Sequence, residues 1–392
     1  MKQSTIILLA FFFFAGCSKN NSEDKTRTLT VSLNNEDKTK VLTISLKDKD
    51  VIETLSADSI FSTVKYIPLE TNQEVLINTI DKVIISNFIY ILDTRQNELF
   101  IFDLSGKFLK KLNHTGNGPG EYITIDDFQI ENDIIYILDG YSQSMFTYNS
   151  DLEFVEKIKF SESYCALEIT DRYIYLYAGF QSLSYKNIAV LDRKDNKIIN
   201  QYKTYPKAQV GVSSFNKNFF YKYGKDIYVA FPYEYSIYKI ERNGSRKVLD
   251  LDFGNKNMYP KNFRSLSFED HDKYRKQFNY SQWPVDDLKD IRVTKTHMFF
   301  SFNFHTTNYT TLLNKTTSKY LCGYLMETEK FPLARPDISN WSDQKVVQTI
   351  TSDIILMIKN GKLGEFLPVE LSTITEESNP VLGVYSLRKE IR

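Results

Sequence analysis

The sequence predicts an all-β fold, a six-bladed β-propeller with four-stranded blades and a ring closed by an N-terminal strand in the last blade. Three observations carry this expectation. The 392 residues hold 28 Phe and 26 Tyr but only nine Ala, and rings and β-branched side chains fit a pleated surface better than a helix. A short apolar segment recurs as Ile89-Tyr90-Ile91-Leu92-Asp93, Ile135-Tyr136-Ile137-Leu138-Asp139, Ile174-Tyr175-Leu176-Tyr177, Ile227-Tyr228-Val229-Ala230, Met298-Phe299-Phe300-Ser301 and Ile354-Ile355-Leu356-Met357. The spacings of 46, 39, 53, 71 and 56 residues fall mostly near the length of one propeller blade. Each copy is also flanked by runs that read as further short strands joined by hairpin turns.

The elements follow from the N-terminus. Residues 1–16 read as a lipoprotein signal peptide: Lys2 precedes an apolar run from Ile6 to Ala15, too short to span a bilayer and the right length for a secretory core. Phe14-Ala15-Gly16-Cys17 resembles a bacterial lipobox, with Phe14 in place of the usual Leu, and this makes Cys17 the lipid attachment site. Residues 17–28 are a polar tether without aliphatic or aromatic side chains. Residues 29–59 are an appended β-hairpin and linker, from the alternating runs TLTVSL and VLTISL. The propeller occupies residues 60–392.

Within it, the first unit reads DKVIIS, FIYILD, ELFIFD, a Ser105-Gly106 turn and KFLKKL, and the second reads DDFQI, IIYILD, SMFTYN and FVEKIKF. The third, fourth and fifth repeat the pattern. The sixth reads VVQTIT, IILMI and PVLGVY and lacks a fourth strand. Val64 to Leu69 is otherwise unassigned and supplies one, closing the ring and removing a sheet edge. Pro68 has no N–H donor, which suits an outer strand.

The stretches YIPLET (66–71), FDLSGKFLKKL, GNGPGEY (116–122) and NPVLGVYSL (379–387), together with the IYILD strands, resemble the six-bladed β-propeller lipoproteins typical of Bacteroidota, themselves similar to NHL and TolB-like propellers. The resemblance covers residues 60–390, strongest over 60–160. It implies the fold and an envelope address. The molecular function of that family is mostly unassigned, so the resemblance implies no chemistry.

Lys plus Arg equals Asp plus Glu at 49 each, so no field steers the protein to nucleic acid. In an antiparallel four-stranded blade, the loops between strands two and three share a face with the links between blades. That loop-rich face gathers the expected contact ring: Arg95, Tyr141, Phe180, Tyr233, Tyr235 and His305, with Glu121 and Tyr122 from the glycine-rich link and Trp283 from the long 254–287 insert. Rings with polar tips suit glycan or peptide contacts. Ser267-Phe268-Glu269-Asp270 reads as a helix start, the opening of a lid over the axis or of a passive surface helix. GNGPGEY lacks the Lys-Ser/Thr ending of a phosphate loop and joins strand to strand, so its glycines shape the crossing between blades. Cys165 and Cys322 fall in different repeats, which argues against their pairing.

The function expected is that of a lipid-anchored, non-catalytic binding or scaffold propeller of the cell envelope, an outer membrane lipoprotein. It would take a glycan, peptide or envelope protein on its loop-rich face and need no cofactor. The alternative is an axial metal-dependent hydrolase or lyase of lactonase type, with Asp93, Asp139, Glu234 and His305 as candidate ligands by position. The bland reading of the strand-end aspartates is that they satisfy turn N–H groups.

Overall fold

In the computed structural model, five of the six recurring segments are second strands of four-stranded antiparallel blades. The residues described are 52–388 apart from 206–218, 255–258, 260–262, 264–265, 278–283, 286–287, 305–306, 318, 335–339 and 343–344, together with 27–28, 30–33 and 40–45. Blade one is built from Lys82–Ile85, Ile89–Asp93, Glu98–Phe102 and Phe108–Leu112. Blade two is Asp127–Glu131, Ile134–Asp139, Ser144–Tyr148 and Phe154–Lys159. Blade three is Ala166–Ile169, Tyr173–Tyr177, Lys186–Asp192 and Lys197–Thr204. Blade four is Tyr221–Tyr223, Asp226–Ala230, Ser236–Glu241 and Gly244–Asp252. Blade five is Lys289–Val293, His297–Phe304, Thr307–Asn314 and Lys319–Met326.

The sixth blade departs from the sequence expectation in one place. Its order is Asn340–Ser342, Lys345–Ile350, Val381–Leu387 and Phe61–Pro68. Ile354 to Met357 is therefore no strand: it lies inside the helix Ser352–Lys359, within the link between strands two and three. The reason is local. Ile355 and Ile358 turn to the core three residues apart, as one face of a helix does, and Asp353 and Lys359 sit at the ends that the helix dipole favours.

Closure follows the expected route. Phe61–Pro68 pairs antiparallel with Val381–Leu387 from Val381↔Pro68 to Leu387↔Phe61. Pro68 is thus on the outermost strand, where its missing donor leaves no ladder bond unmade. Gly106 holds φ +92°, and a Cβ there would meet the Pro68 carbonyl oxygen at 2.1 Å, so the blade-one turn packs on the closing strand only because the residue is glycine.

The N-terminal segment covers further edges. Thr30–Leu33 and Lys40–Ser45 form the expected hairpin, and the second of these lies parallel to the outer strand of blade four. Ile52–Ser56 lies parallel to the outer strand of blade five. A strand laid on an outer edge occupies backbone groups that would otherwise invite pairing with another chain.

The aromatic excess packs blade against blade. Six clusters of buried side chains fill the six interfaces of the ring, from blades one and two round to blades six and one. Tyr177 of blade three stacks on Phe219 at the start of blade four with centroids 3.4 Å apart. Phe61 and Tyr385 meet within the closing blade with centroids 4.7 Å apart. Cys165 and Cys322 are free thiols, and burial pushes each up to about 12.

Candidate functional site

The strand-end aspartates are structural. Asp93 is fully buried and accepts the backbone N–H groups of Asn78, Thr79, Arg95 and Gln96 at 2.7–3.1 Å, and the Gln96 side-chain amide at 2.8 Å. Asp139 repeats this one blade on, accepting Ile123 N–H, Ser142 N–H and the Thr124 hydroxyl at 2.7, 2.8 and 3.1 Å. Each carboxylate thus ties its own strand two to three turn to the link entering its blade. Glu234 pairs with Lys203 at 2.9 Å. Among the described residues, no three His, Cys, Asp or Glu converge as a metal site would require.

The expected contact ring does not assemble as a surface. Arg95 and Tyr141 are exposed, and Tyr141 stands 78% accessible. Tyr122, Phe180, Tyr233 and Tyr235 are instead buried. The Tyr122 hydroxyl donates to the Asn97 carbonyl at 3.0 Å, and burial pushes its pKa up to about 12. Glu121 is exposed and folds back to accept the Gly118 N–H at 2.7 Å within its own loop. Phe180 meets Tyr205 edge-on, Tyr233 meets Tyr259, Phe263 and His271, and Tyr235 donates to the Val285 carbonyl at 2.9 Å. Phe180 and Tyr233 hold φ of +62° and +59°, a turn conformation that costs a bulky residue energy and is offset here by the burial of the ring. Trp283 and His305 lie outside the described residues.

The helix anticipated after Ser267 spans Phe268–Lys276, and the Ser267 hydroxyl accepts the Asp270 N–H at 3.2 Å. His271 and Tyr274 dock it on Phe263. No residue of this helix lines the axial cavity.

That cavity is formed by the innermost strands of blades one to five and encloses about 240 Å³. Its middle tier can be read from strand register. Ile84, Gln129, Glu168, Tyr221 and Arg292 each pair with the second residue of a recurring segment: Tyr90, Tyr136, Tyr175, Tyr228 and Phe299. Apolar walls come from Val83, Ile84, Ile130, Ile169 and Val293, and charge from Lys82, Glu131, Glu168, Lys222 and Arg292.

Most of these charges are matched. Lys82 bonds Asp127 at 2.7 Å and the Phe128 carbonyl at 2.9 Å. Glu131 pairs with Arg193, which also donates to the Tyr136 hydroxyl at 2.9 Å. Lys222 lies 3.8 Å from Glu168 and donates to the Ile169 carbonyl. Glu168 also accepts the Gln129 amide at 2.9 Å. Burial raises its pKa, and Lys222 and Lys82 oppose the rise.

Arg292 differs. It is 6% exposed, its Nη1 donates to the neighbouring Ile291 carbonyl at 2.7 Å, and its guanidinium stands 4.8 Å from the centre of the Tyr221 ring. Its Nε is buried without a hydrogen-bond partner. Loop-centred reasoning missed this site. The signal was the set of charged and amide side chains carried by the five first strands: DKVII, DFQIE, ALEI, YKY and DIRV. Such a group is costly to bury unless something answers it.

A family described as Domain of unknown function (DUF4934) matches residues 39–386. A search of curated proteins gives no match. Two solved structures similar to the chain come from Bacteroides. A "Putative exported protein" from Bacteroides fragilis is 20% identical, with a TM-score of 0.69 over 88% of this chain and 100% of that one. A member of the DUF4221 family from Bacteroides vulgatus is 11% identical, with a TM-score of 0.53 over 84% of this chain and 97% of the other. At these identities the likeness speaks for the fold alone.

Proposed function

The chain belongs to the DUF4934 family, and from its axial cavity we propose that it is an exported, lipid-anchored binding propeller that takes a small ligand on the ring axis. The observation that carries this reading is the convergence of charged side chains on one cavity of about 240 Å³ within a rigid ring. A concave site with apolar walls and a few convergent polar groups is the usual form of a small-molecule site. The reading moves the ligand from the loop-rich face to the axis, because four rings expected on that face are core residues. The address rests on the N-terminal sequence, with Cys17 as the acylated residue, and draws support from the exported description of the Bacteroides fragilis structure. Two acyl chains hold a protein to a membrane where one is marginal.

Two experiments test this. Full-length protein is screened by thermal shift against small envelope metabolites, in parallel with Ile130→Trp, which fills the cavity, and with Tyr141→Ala on the outer face. Ligand-induced shifts that vanish in the first variant and persist in the second support the axial site; the reverse pattern returns the site to the face. Labelled palmitate should enter the wild type and not Cys17→Ser, and equal labelling would remove Cys17 as the anchor.

A further inference from the structure

We propose that the axial cavity is a carboxylate site in which the Arg292 guanidinium recognises the anion. This rests on the reading of the cavity as the binding site and adds the chemistry of the ligand. Three of the cations in or beside the cavity have a carboxylate of their own: Lys82 has Asp127, Arg193 has Glu131, and Lys222 has Glu168. Arg292 has no carboxylate at ion-pair distance among the described residues. Asp290 lies near enough to favour its charge, and its carboxylate accepts the Ser301 hydroxyl. Among the described residues Arg292 is thus the cation of this group without an ion pair, and it is 6% exposed.

An arginine does not escape this by losing its proton, because its pKa stays far above neutrality. Burying a charge without a partner costs several kcal/mol after relaxation, so the fold holds Arg292 ready for a partner that arrives. Tyr221 keeps the guanidinium in place with its ring 4.8 Å away. The guanidinium is a planar donor fork that fits a carboxylate through two parallel bonds. Ile84, Ile130, Ile169 and Val293 line the same cavity, and an ion pair strengthens where apolar neighbours lower the local dielectric. The volume of about 240 Å³ lies just under the usual range of about 300–1,000 Å³ for such sites, which sizes the ligand to a single sugar acid or a short peptide's carboxyl end. Both sources present the same group.

The test is calorimetric titration of full-length protein with matched pairs: galacturonate against galactose, and N-acetylalanine against its primary amide. In at least one pair the acid binds about 10-fold to 100-fold more tightly than its neutral partner, and the pair that responds identifies the source. Arg292→Met removes that preference. Arg292→Lys, which keeps the charge and loses the fork, leaves part of it. Because methionine matches the arginine stem out to Nε and has no charge to bury, Arg292→Met folds with an unchanged or raised Tm, which separates lost recognition from lost structure. Equal binding of acid and neutral partner, no binding in either pair at millimolar concentration, or a preference that survives Arg292→Met would overturn the proposal. Ile130→Trp distinguishes the site from its chemistry. If it abolishes binding of acid and neutral probe alike while Arg292→Met leaves the preference for the acid unchanged, the axial site stands and the carboxylate chemistry falls. If it leaves all binding intact, the axial site itself falls.

Discussion

Replacing Asp93 with alanine removes the acceptor that joins the first blade's turn to the link entering it. The carboxylate takes four backbone N–H groups and one side-chain amide. The donors are partly buried, so some regain water in the variant, and each lost bond costs about 1 kcal/mol rather than the full penalty of an orphaned charged partner. The sum is about 3–5 kcal/mol. A ring of about 330 residues has an unfolding entropy near 0.7 kcal/mol per degree at the usual per-residue value, so Tm falls by about 4–7 °C. Asp93→Asn keeps one acceptor oxygen and should lose about half as much. The assay is differential scanning calorimetry, with circular dichroism to confirm a native strand spectrum at 20 °C. A Tm within 1 °C of wild type would refute the reasoning. So would a loss that a chelator reproduces in wild type, since that is the behaviour of a metal ligand rather than of a turn acceptor.

Other outcomes follow from the same geometry. Tyr385→Ala empties the contact among Phe61, Tyr66 and Tyr385 in the closing blade, and chemical denaturation should show a loss of about 3–5 kcal/mol. Burial holds the Cys322 thiol up to about 12, so it does not react with a thiol reagent at pH 8 in native protein and reacts in guanidinium; fast native labelling of Cys322 would contradict its burial. Burial raises Glu168 above its ordinary value of 4.5, so the folded chain holds this proton more tightly than the unfolded chain. Its contribution is therefore favourable below 4.5 and declines as pH rises towards the folded-state pKa. The Tm of Glu168→Gln relative to wild type should increase across that window, and a flat difference would refute the assignment.

Much of the fold was legible in the sequence, for reasons that particular residues show. The IYILD-like runs recur at about the length of one blade, each flanked by further short strands and turn formers, so the blade pattern follows from the repeat. The closing strand was visible because YIPLET near one end and NPVLGVYSL near the other each lacked a neighbour. Ile354 to Met357 misled because a four-residue apolar run has the same composition in a buried strand and in one turn of a helix. The deciding marks were Asp353 and Lys359 at its flanks. The site was less legible. Phe180, Tyr233 and Tyr235 do lie in the expected turns, but a turn residue can point its ring inward, and here packing against the inserts wins. Arg292 was overlooked because it lies inside a strand. Position in a first strand, next to the axis, is what turns an ordinary IRV run into a buried unmatched charge.

The most direct test of an axial carboxylate site is a crystal structure of the full-length protein grown with whichever acid responds in the titration. The account predicts the carboxylate within 3 Å of the Arg292 guanidinium, as charge-assisted bonds of about 2.7–2.9 Å require, with the body of the ligand against Ile84 and Ile130. Ligand density on the loop-rich face beside Arg95 and Tyr141, with none in the cavity, would contradict it.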